Sequence, residues 1–362
     1  MNVISISDKF HTKDDCLGYM ENLRWSGYPV CPYCGSTDNI PVKKEYRHHC
    51  NNVECKKTFS VLVGTIFEGA RLPLPKFFVL IGLMLNARKG ISSMQLRRDV
   101  GITVRSSWYA AMRVRCAMVE TISDMKGTVE ADEMYVGGKP RHRKVTADNV
   151  AWLSRLEKPK RGRGAQNKVK VAGMVERDGR VITKVLSNFT AQNLLAMLKR
   201  YVNIDKATLM TDEFASYNSF DEYVTRHVIK HKQKEYVRGN VHTNTIEGYW
   251  SIVKAGIKGQ YRVLSRRYFP FYLAEFAYKY NRRNAQSLQF ESFMKDALSD
   301  GKCLIYHKPK GDPLKIVYPR KNKPAKANTR KFNKANKDAG KTKAKKKIAK
   351  AKKKKEIKTE KE

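Results

Sequence analysis

Thr128-Val129-Glu130-Ala131-Asp132-Glu133-Met134-Tyr135-Val136-Gly137-Gly138 decides how the chain reads. Thr128 to Val136 alternates in the manner of a strand, and the glycine pair ends it. Strand side chains point to opposite faces in turn, so Glu130 and Asp132 share one face and Glu133 takes the other. Downstream, Lys139 to Lys168 is basic and polar, a long inserted loop that could contact DNA or a second subunit. Val169–Glu176 and Arg180–Leu186 read as two strands around an Asp178-Gly179 hairpin turn. Thr190–Tyr201 is an amphipathic helix with Leu194, Leu195 and Leu198 inward. Ala207–Thr211 and Arg226–His231 are short strands, and Asn244–Lys258 and Tyr268–Arg283 are helices. Three strands, a helix, two strands and two helices describe a mixed α/β sheet flanked by helices.

Upstream lies a different kind of sequence. Residues 14–26 read as a short helix. Cys31-Pro32-Tyr33-Cys34-Gly35 and Cys50-Asn51-Asn52-Val53-Glu54-Cys55 form two knuckles. A tetrahedral zinc site takes two thiolates from each of two tight turns, so Cys31, Cys34, Cys50 and Cys55 are the expected ligands of a structural Zn²⁺. The second knuckle is wider than usual, and His48 or His49 could substitute in it. Lys43, Lys44, Tyr46, Arg47 and His48 suit the hairpin of a zinc ribbon. Cys16, Cys116 and Cys303 have no partner spacing and are expected to be packed thiols. Thr58–Glu68 is β-branched and aromatic, hence strand-like. After the break at Leu72-Pro73-Leu74-Pro75 comes an apolar helix, Pro75–Arg88. Ile91–Val100, Gly101-Ile102 and Thr103–Met118 then have helix-turn-helix spacing. The second helix of that pair carries Arg105, Arg113 and Arg115, the expected DNA contacts. The alternative is a helical linker that only positions its neighbours.

The charge narrows the partner. The chain of 362 residues has 73 Lys+Arg against 34 Asp+Glu, a net charge of +39. Such a field attracts phosphate backbones and releases their counterions. Residues 320–362 hold 20 Lys+Arg against 4 Asp+Glu, with three large apolar residues, Phe332, Ile348 and Ile357. That tail is expected to be disordered and to touch DNA without sequence preference. The longest apolar run, Phe77–Leu85, falls far short of the roughly 20 residues of a spanning helix. The N-terminus lacks the order of a secretory signal, so no membrane partner is expected. The expected place is a bacterial cytoplasm, on the nucleoid, or a eukaryotic nucleus.

Three acids run against the basic trend. Asp132 lies in the deciding strand. Asp212 follows the apolar strand that ends at Thr211. Glu247 lies in the helix Asn244-Thr245-Ile246-Glu247-Gly248-Tyr249-Trp250. At about 100° per residue, Lys254 falls roughly 20° from Glu247, beside the buried stripe of Ile246, Trp250, Val253 and Ile257. An acid that binds metal and a lysine that holds a phosphate would address one groove. The same helix start also reads as a capping box, Asn244 with Glu247. Carboxylates holding two divalent cations clamp the attacking and leaving oxygens of a phosphodiester. Carboxylates suit Mg²⁺ or Mn²⁺, as thiolates suit zinc.

Asp132, Asp212 and Glu247 resemble the acidic triad of DDE transposases, which have an RNase H-like catalytic fold. Val129–Gly138 and His242–Lys254 are similar to segments of the bacterial insertion-sequence group related to Merlin elements. Trp25, Cys31–Ser36 and Gly64–Phe67 match the zinc ribbon of that group, and Ala274–Ala277 with Asn281–Arg283 its C-terminal helix. The resemblance covers roughly residues 14–290. Members vary at the third catalytic position, where Asn or His can replace Glu, and Asn244 and His242 lie close by. Arg262 stands where a His is common.

The resemblance implies transposition: binding of terminal inverted repeats, hydrolytic nicking, then attack of the 3′ hydroxyl on target DNA. A dimer or larger assembly is expected, because two ends are joined. The expected organisation is an N-terminal helix and zinc ribbon (1–70) and a helix-turn-helix-like domain (71–126). An RNase H-like catalytic domain (127–290), a C-terminal extension (291–319) and the Lys-rich tail (320–362) complete it. A transposase-derived DNA-binding regulator without chemistry, or an RNase H-like nuclease that cuts and does not join, are the competing functions.

Overall fold

In the computed structural model, residues 2–42, 46–120, 124–137, 168–233, 235–262, 264–285 and 289–299 are described. Most of the inserted loop (139–167), Lys43 and Lys44 of the ribbon hairpin, Cys303, the rest of the expected extension and the whole tail lie outside them.

Near-continuous apolar strands must be covered on both faces, and this requirement organises the second half of the chain. Five strands pair there: β4 (Met125–Val136), β5 (Val169–Glu176), β6 (Val181–Leu186), β7 (Val202–Thr211) and β8 (Thr225–Val228), in the order β6-β5-β4-β7-β8. The first three are antiparallel neighbours. β7 pairs parallel to β4, and β8 parallel to β7. A parallel return needs a crossover, supplied by the helix Ala191–Tyr201 between β6 and β7. Strand alternation divides the core. Val129, Ala131, Ala172 and Met174 pack under this crossover helix with Leu194, Leu198, Tyr217 and Phe220. Met134, Val171, Val175 and Val185 face two later helices, Asn244–Gly256 and Phe269–Asn281, through Ile246, Trp250, Val253, Leu273 and Phe276. This mixed sheet with helices on both faces is the RNase H-like core.

Boundaries differ from the sequence reading for local reasons. β4 starts three residues early, and Gly127, with φ 64°, makes a bulge inside it rather than a boundary. β7 begins at Val202, directly where the crossover helix ends. β8 stops at Val228, where the Ile229 N–H still donates to Thr211 O at 3.0 Å before the chain turns away.

The α-helices among the described residues are, in chain order, α1 (Val3–Lys9), α2 (Lys13–Trp25), α3 (Leu74–Asn86), α4 (Ser93–Val100) and α5 (Val104–Ala117). They continue with α6 (Ala191–Tyr201), α7 (Asn244–Gly256), α8 (Phe269–Asn281) and α9 (Gln289–Leu298). β1 (Asn39–Val42), β2 (Arg47–Cys50) and β3 (Thr58–Phe59) form the small antiparallel ribbon sheet. Thr12 and Asp15 close a capping box on α2. Gly101 ends α4 in the left-handed conformation, as the turn between two helices requires.

Ribbon and N-terminal helices share one core. Trp25, Phe59, Phe67, Phe77, Phe78 and Leu96 lie in a single cluster with Phe290, Phe293 and Met294 of α9. The expected boundary at residue 70 runs through this core, and the start of the expected extension folds back into it. The strand expected over Thr58–Glu68 is only two residues long. Beyond it the chain runs in turns, Val63 N–H to Ser60 O and Glu68 N–H to Thr65 O. Its free carbonyls are taken by guanidinium groups: Arg24 donates to Val61 O and Val63 O at 2.6 and 2.8 Å, and Arg113 donates to Glu68 O at 2.7 Å.

That role corrects the reading of two arginines as DNA contacts. Arg113 is 2 % exposed and Arg115 1 %. The last two turns of α5, from Ala110 to Ala117, are enclosed on every side. Arg115 Nε donates to Glu275 Oε2 of α8 at 2.7 Å, and its guanidinium lies over the Tyr272 ring at 4.0 Å. Only Arg105, in the first turn of α5, is exposed.

Candidate active site

Glu130 of β4 pairs with Met210 of β7, and the same register two positions further on sets Asp132 level with Asp212, where β7 has just ended and β4 runs on to Val136. Open α/β sheets place their ligand crevices at such ends. The Phe214 N–H donates to Asp212 Oδ1 at 3.0 Å, fixing the side chain at the turn. Asp132 pairs across β4–β5 with Gly173. A Cβ on Gly173 would lie 2.5 Å from the Trp250 ring and 3.1 Å from Ile246. The missing side chain therefore lets α7 settle onto the sheet next to Asp132. Glu247 precedes Trp250 by one turn on α7.

Burial raises the Asp132 carboxyl to about 6, and the negative charges of Asp212 and Glu247 add to the rise. Glu133, on the other face, is raised to about 7, again chiefly by burial, with Asp212 and Asp132 adding. The Tyr217 hydroxyl donates to Glu133 Oε2 at 2.7 Å and opposes the rise. Among the described residues, no lysine or arginine figures among the leading influences on either acid. Carboxylates are the donors that a hard divalent cation takes; among the described residues, however, three or more possible ligand atoms lie within 4.8 Å of one another at the four ribbon cysteines and not at these acids.

Glu247 is half in solvent, its side chain 53 % exposed. Its Oε1 accepts from the Thr243 hydroxyl at 3.1 Å and lies 3.8 Å from His231 Nε2. Thr243, not Asn244, is the N-cap of α7, and Glu247 does not close a capping box with the backbone. Asn244 is exposed at the helix start, and Lys254 is exposed two turns beyond Glu247. The structure thus brings Asp132, Asp212 and Glu247 into one electrostatic neighbourhood. Sequence reasoning assigned nothing to Glu133, Tyr217 or His231. Glu133 carried a signal, as an acid flanking Asp132; His231 carried none, because its approach to α7 depends on where β8 turns.

The four cysteines of the ribbon stand apart from this site. Their Sγ atoms all lie within 4.8 Å of one another, with Cys31–Cys55 at 3.8 Å and Cys34–Cys50 at 3.6 Å. Zinc–sulfur bonds of about 2.3 Å in a tetrahedron space sulfurs about 3.8 Å apart, so the quartet fits zinc. Disulfides, at about 2 Å, do not fit these distances. In the first knuckle, Gly35 takes φ 78° and its N–H donates to Cys31 O at 2.8 Å. In the wider one, Lys56 takes φ 44° and its N–H donates to Asn52 O at 3.0 Å, which folds the extra residues into a second tight turn. His48 is not needed as a ligand; its Nε2 lies 3.2 Å from Glu21 Oε1.

Residues 124–281 match the family model of the ISXO2-like transposase domain, and residues 11–58 that of the transposase zinc-ribbon domain. The chain belongs to this family of insertion-sequence transposases. A relative of this transposase, an uncharacterized protein in transposable element ISH50 of Halobacterium salinarum, is 26% identical over 259 residues, 70% of this chain and 85% of its own. The crystal structure of the Mos1 strand transfer complex is a distant likeness. It has 12% identity and a TM-score of 0.27 over 61% of the transposase and 78% of that chain. Among the described residues, no helix of the transposase is long and apolar enough to cross a membrane.

Proposed function

We propose that this transposase binds the terminal inverted repeats of its element, cuts DNA there with Mg²⁺ or Mn²⁺, and joins the ends to target DNA. The observation that carries the reading is the placement of Asp132, level with Asp212 in the sheet and beside the helix that carries Glu247, where the charges of both add to the rise of its carboxyl. Asp132, Asp212 and Glu247 would hold the two ions, and Asn244 is the alternative third ligand. When bound, the ions would activate the attacking oxygen and stabilise charge on the phosphate.

The chain's own groups orient the rest. Thr243 holds one oxygen of Glu247 and leaves the other for the site. Lys254, exposed on the same side of α7, takes a DNA phosphate. Arg105 and the basic tail add affinity along the duplex. In the cut, water oxygen bonds to phosphorus and the 3′ oxygen leaves with a proton. In the joining step that 3′ hydroxyl attacks a target phosphodiester and displaces its 3′ oxygen. Two ends must meet, so the working form is a dimer or larger assembly on DNA, in the nucleoid or nucleus. Cys31, Cys34, Cys50 and Cys55 hold a structural zinc that has no part in the chemistry.

Mn²⁺-dependent nicking of supercoiled DNA tests this. Wild type is expected to nick. Asp132→Asn and Glu247→Gln are expected to bind DNA, keep one zinc per chain and not nick. Undiminished nicking by Asp132→Asn contradicts the reading. Binding without nicking by wild type would make the protein a regulator. Nicking without transfer of a pre-nicked end would make it a nuclease.

A further inference from the structure

A second acid on the face of Asp132 has no part in the scheme above. Glu130 precedes Asp132 by two residues, about 6.6 Å along the strand, and is 0 % exposed. Burying a carboxylate is costly unless hydrogen bonds satisfy it. An apolar side chain would fill the same place at lower cost, so the acid at this position calls for a positional explanation.

Its partners supply one. The first amides of a helix need acceptors. The N-cap of α7, Thr243, accepts no cap bond from the helix amides; its hydroxyl donates to Glu247. Glu130 provides the acceptor from the sheet. Ile246 N–H donates to Glu130 Oε2 at 3.0 Å, and the Thr245 hydroxyl donates to Oε1 at 2.9 Å. Arg177, in the β5–β6 turn, donates from Nε to the same Oε1 at 2.7 Å. Its other nitrogens reach the chain that leads into α7, donating to Asn240 O at 2.7 Å and His242 O at 2.9 Å. His242 Nδ1 lies 3.1 Å from that guanidinium and 3.4 Å from Glu130. Arg177 is tied to β4 in turn, its N–H donating to Thr128 O at 2.9 Å. One buried carboxylate thus bonds the residue immediately before Glu247 and stands on the strand that carries Asp132.

We propose that Glu130, held by Arg177, is the positioning residue that sets the distance and azimuth of Glu247 relative to Asp132. It caps the catalytic helix from outside, while Thr243 orients Glu247. The inference rests on the proposed roles of Asp132 and Glu247. Residues that orient metal ligands change metal affinity by about 10–100-fold when removed, whereas a residue that only stabilises the fold leaves the affinity of the folded fraction unchanged.

The test is a Mn²⁺ titration of supercoiled-DNA nicking with full-length wild type, Glu130→Gln, Arg177→Lys and Glu247→Gln, each first checked for cooperative unfolding and bound zinc. Glu130→Gln is expected to raise the Mn²⁺ concentration for half-maximal nicking by about tenfold or more, with activity returning at high Mn²⁺. Arg177→Lys keeps the charge and loses the carbonyl bonds; it is expected to shift the midpoint in the same direction. Should Glu130→Gln fail to fold, Arg177→Lys decides. A wild-type midpoint in the folded variant overturns the proposal. Full nicking by Glu247→Gln would instead overturn the underlying assignment of the triad.

Discussion

Acids at two places in this molecule meet opposite surroundings. On β4, the half-buried Asp132 and Glu133 are raised to about 6 and about 7 by partial burial, with other acids adding to the effect. Between α5 and α8, burial would also push Glu275 up, but Lys279 and Arg115 overcome it and hold the carboxyl down to about 2. Lys279 Nζ donates to Glu275 Oε1 at 2.6 Å, Arg115 Nε to Oε2 at 2.7 Å and the Tyr261 hydroxyl to Oε2 at 3.0 Å. The second group is complete within the chain, and it ties the N-terminal helices to the sheet half. Among the described residues, no lysine or arginine is a leading influence on the first, which is unmatched in that sense and suits an external cation.

The largest effect should come from removing an unmatched acid. Asp132→Asn is expected to lower Mn²⁺-dependent nicking by on the order of 10³-fold, about 4 kcal/mol of barrier, without loss of the fold as measured by circular dichroism. Removing a matched partner should do the reverse. Arg115→Met is expected to destabilise by about 3 kcal/mol in urea unfolding, because it leaves a buried carboxylate short of a cation. If Arg115→Met were harmless to stability and Asp132→Asn harmless to nicking, the distinction between the groups would fail.

Gly173→Ala probes the contact that brings the helix to the unmatched acids. The added methyl would meet the Trp250 ring. An expected cost of about 1–3 kcal/mol for overpacking should come with reduced nicking, while DNA binding in a mobility-shift assay stays unchanged.

The smallest effect is the pH dependence of stability without divalent metal. Asp132 and Glu133 have folded values above their ordinary ones, so the folded chain binds their protons more tightly than the unfolded chain does. Their contribution is present below about 4 and is lost as pH rises through about 6 to 7. Glu275 has the opposite sign: its contribution is present above its ordinary value of 4.5 and is lost as pH falls towards about 2. Melting temperatures across this range should show both arms, and Asp132→Asn should flatten the upper one.

Local periodicity made much of this legible. The deciding strand, the Asp178-Gly179 turn and the shared side of Glu247 and Lys254 follow from repeats of two and 3.6 residues. The cysteine spacing pointed to the quartet even with a widened knuckle. Long-range matching was not legible. Arg115 and Glu275 are 160 positions apart, and helical periodicity does not reveal that α5 ends enclosed. Glu130 read simply as a neighbour of Asp132 because its partners lie 47 and 116 positions away. The carbonyls that Arg113 serves belong to a segment whose β-branched residues read as strand and fold as turns.

The most direct test of the central claim, that the unmatched acids are the seat of divalent cations, is calorimetric Mn²⁺ binding to zinc-loaded protein. It is best done at a pH near the Asp132 value of about 6, in buffers of different ionisation enthalpy. Wild type is expected to bind Mn²⁺ with net proton release, and Asp132→Asn to lose both the binding and the release. Equal binding and equal proton release in the two proteins would contradict the account.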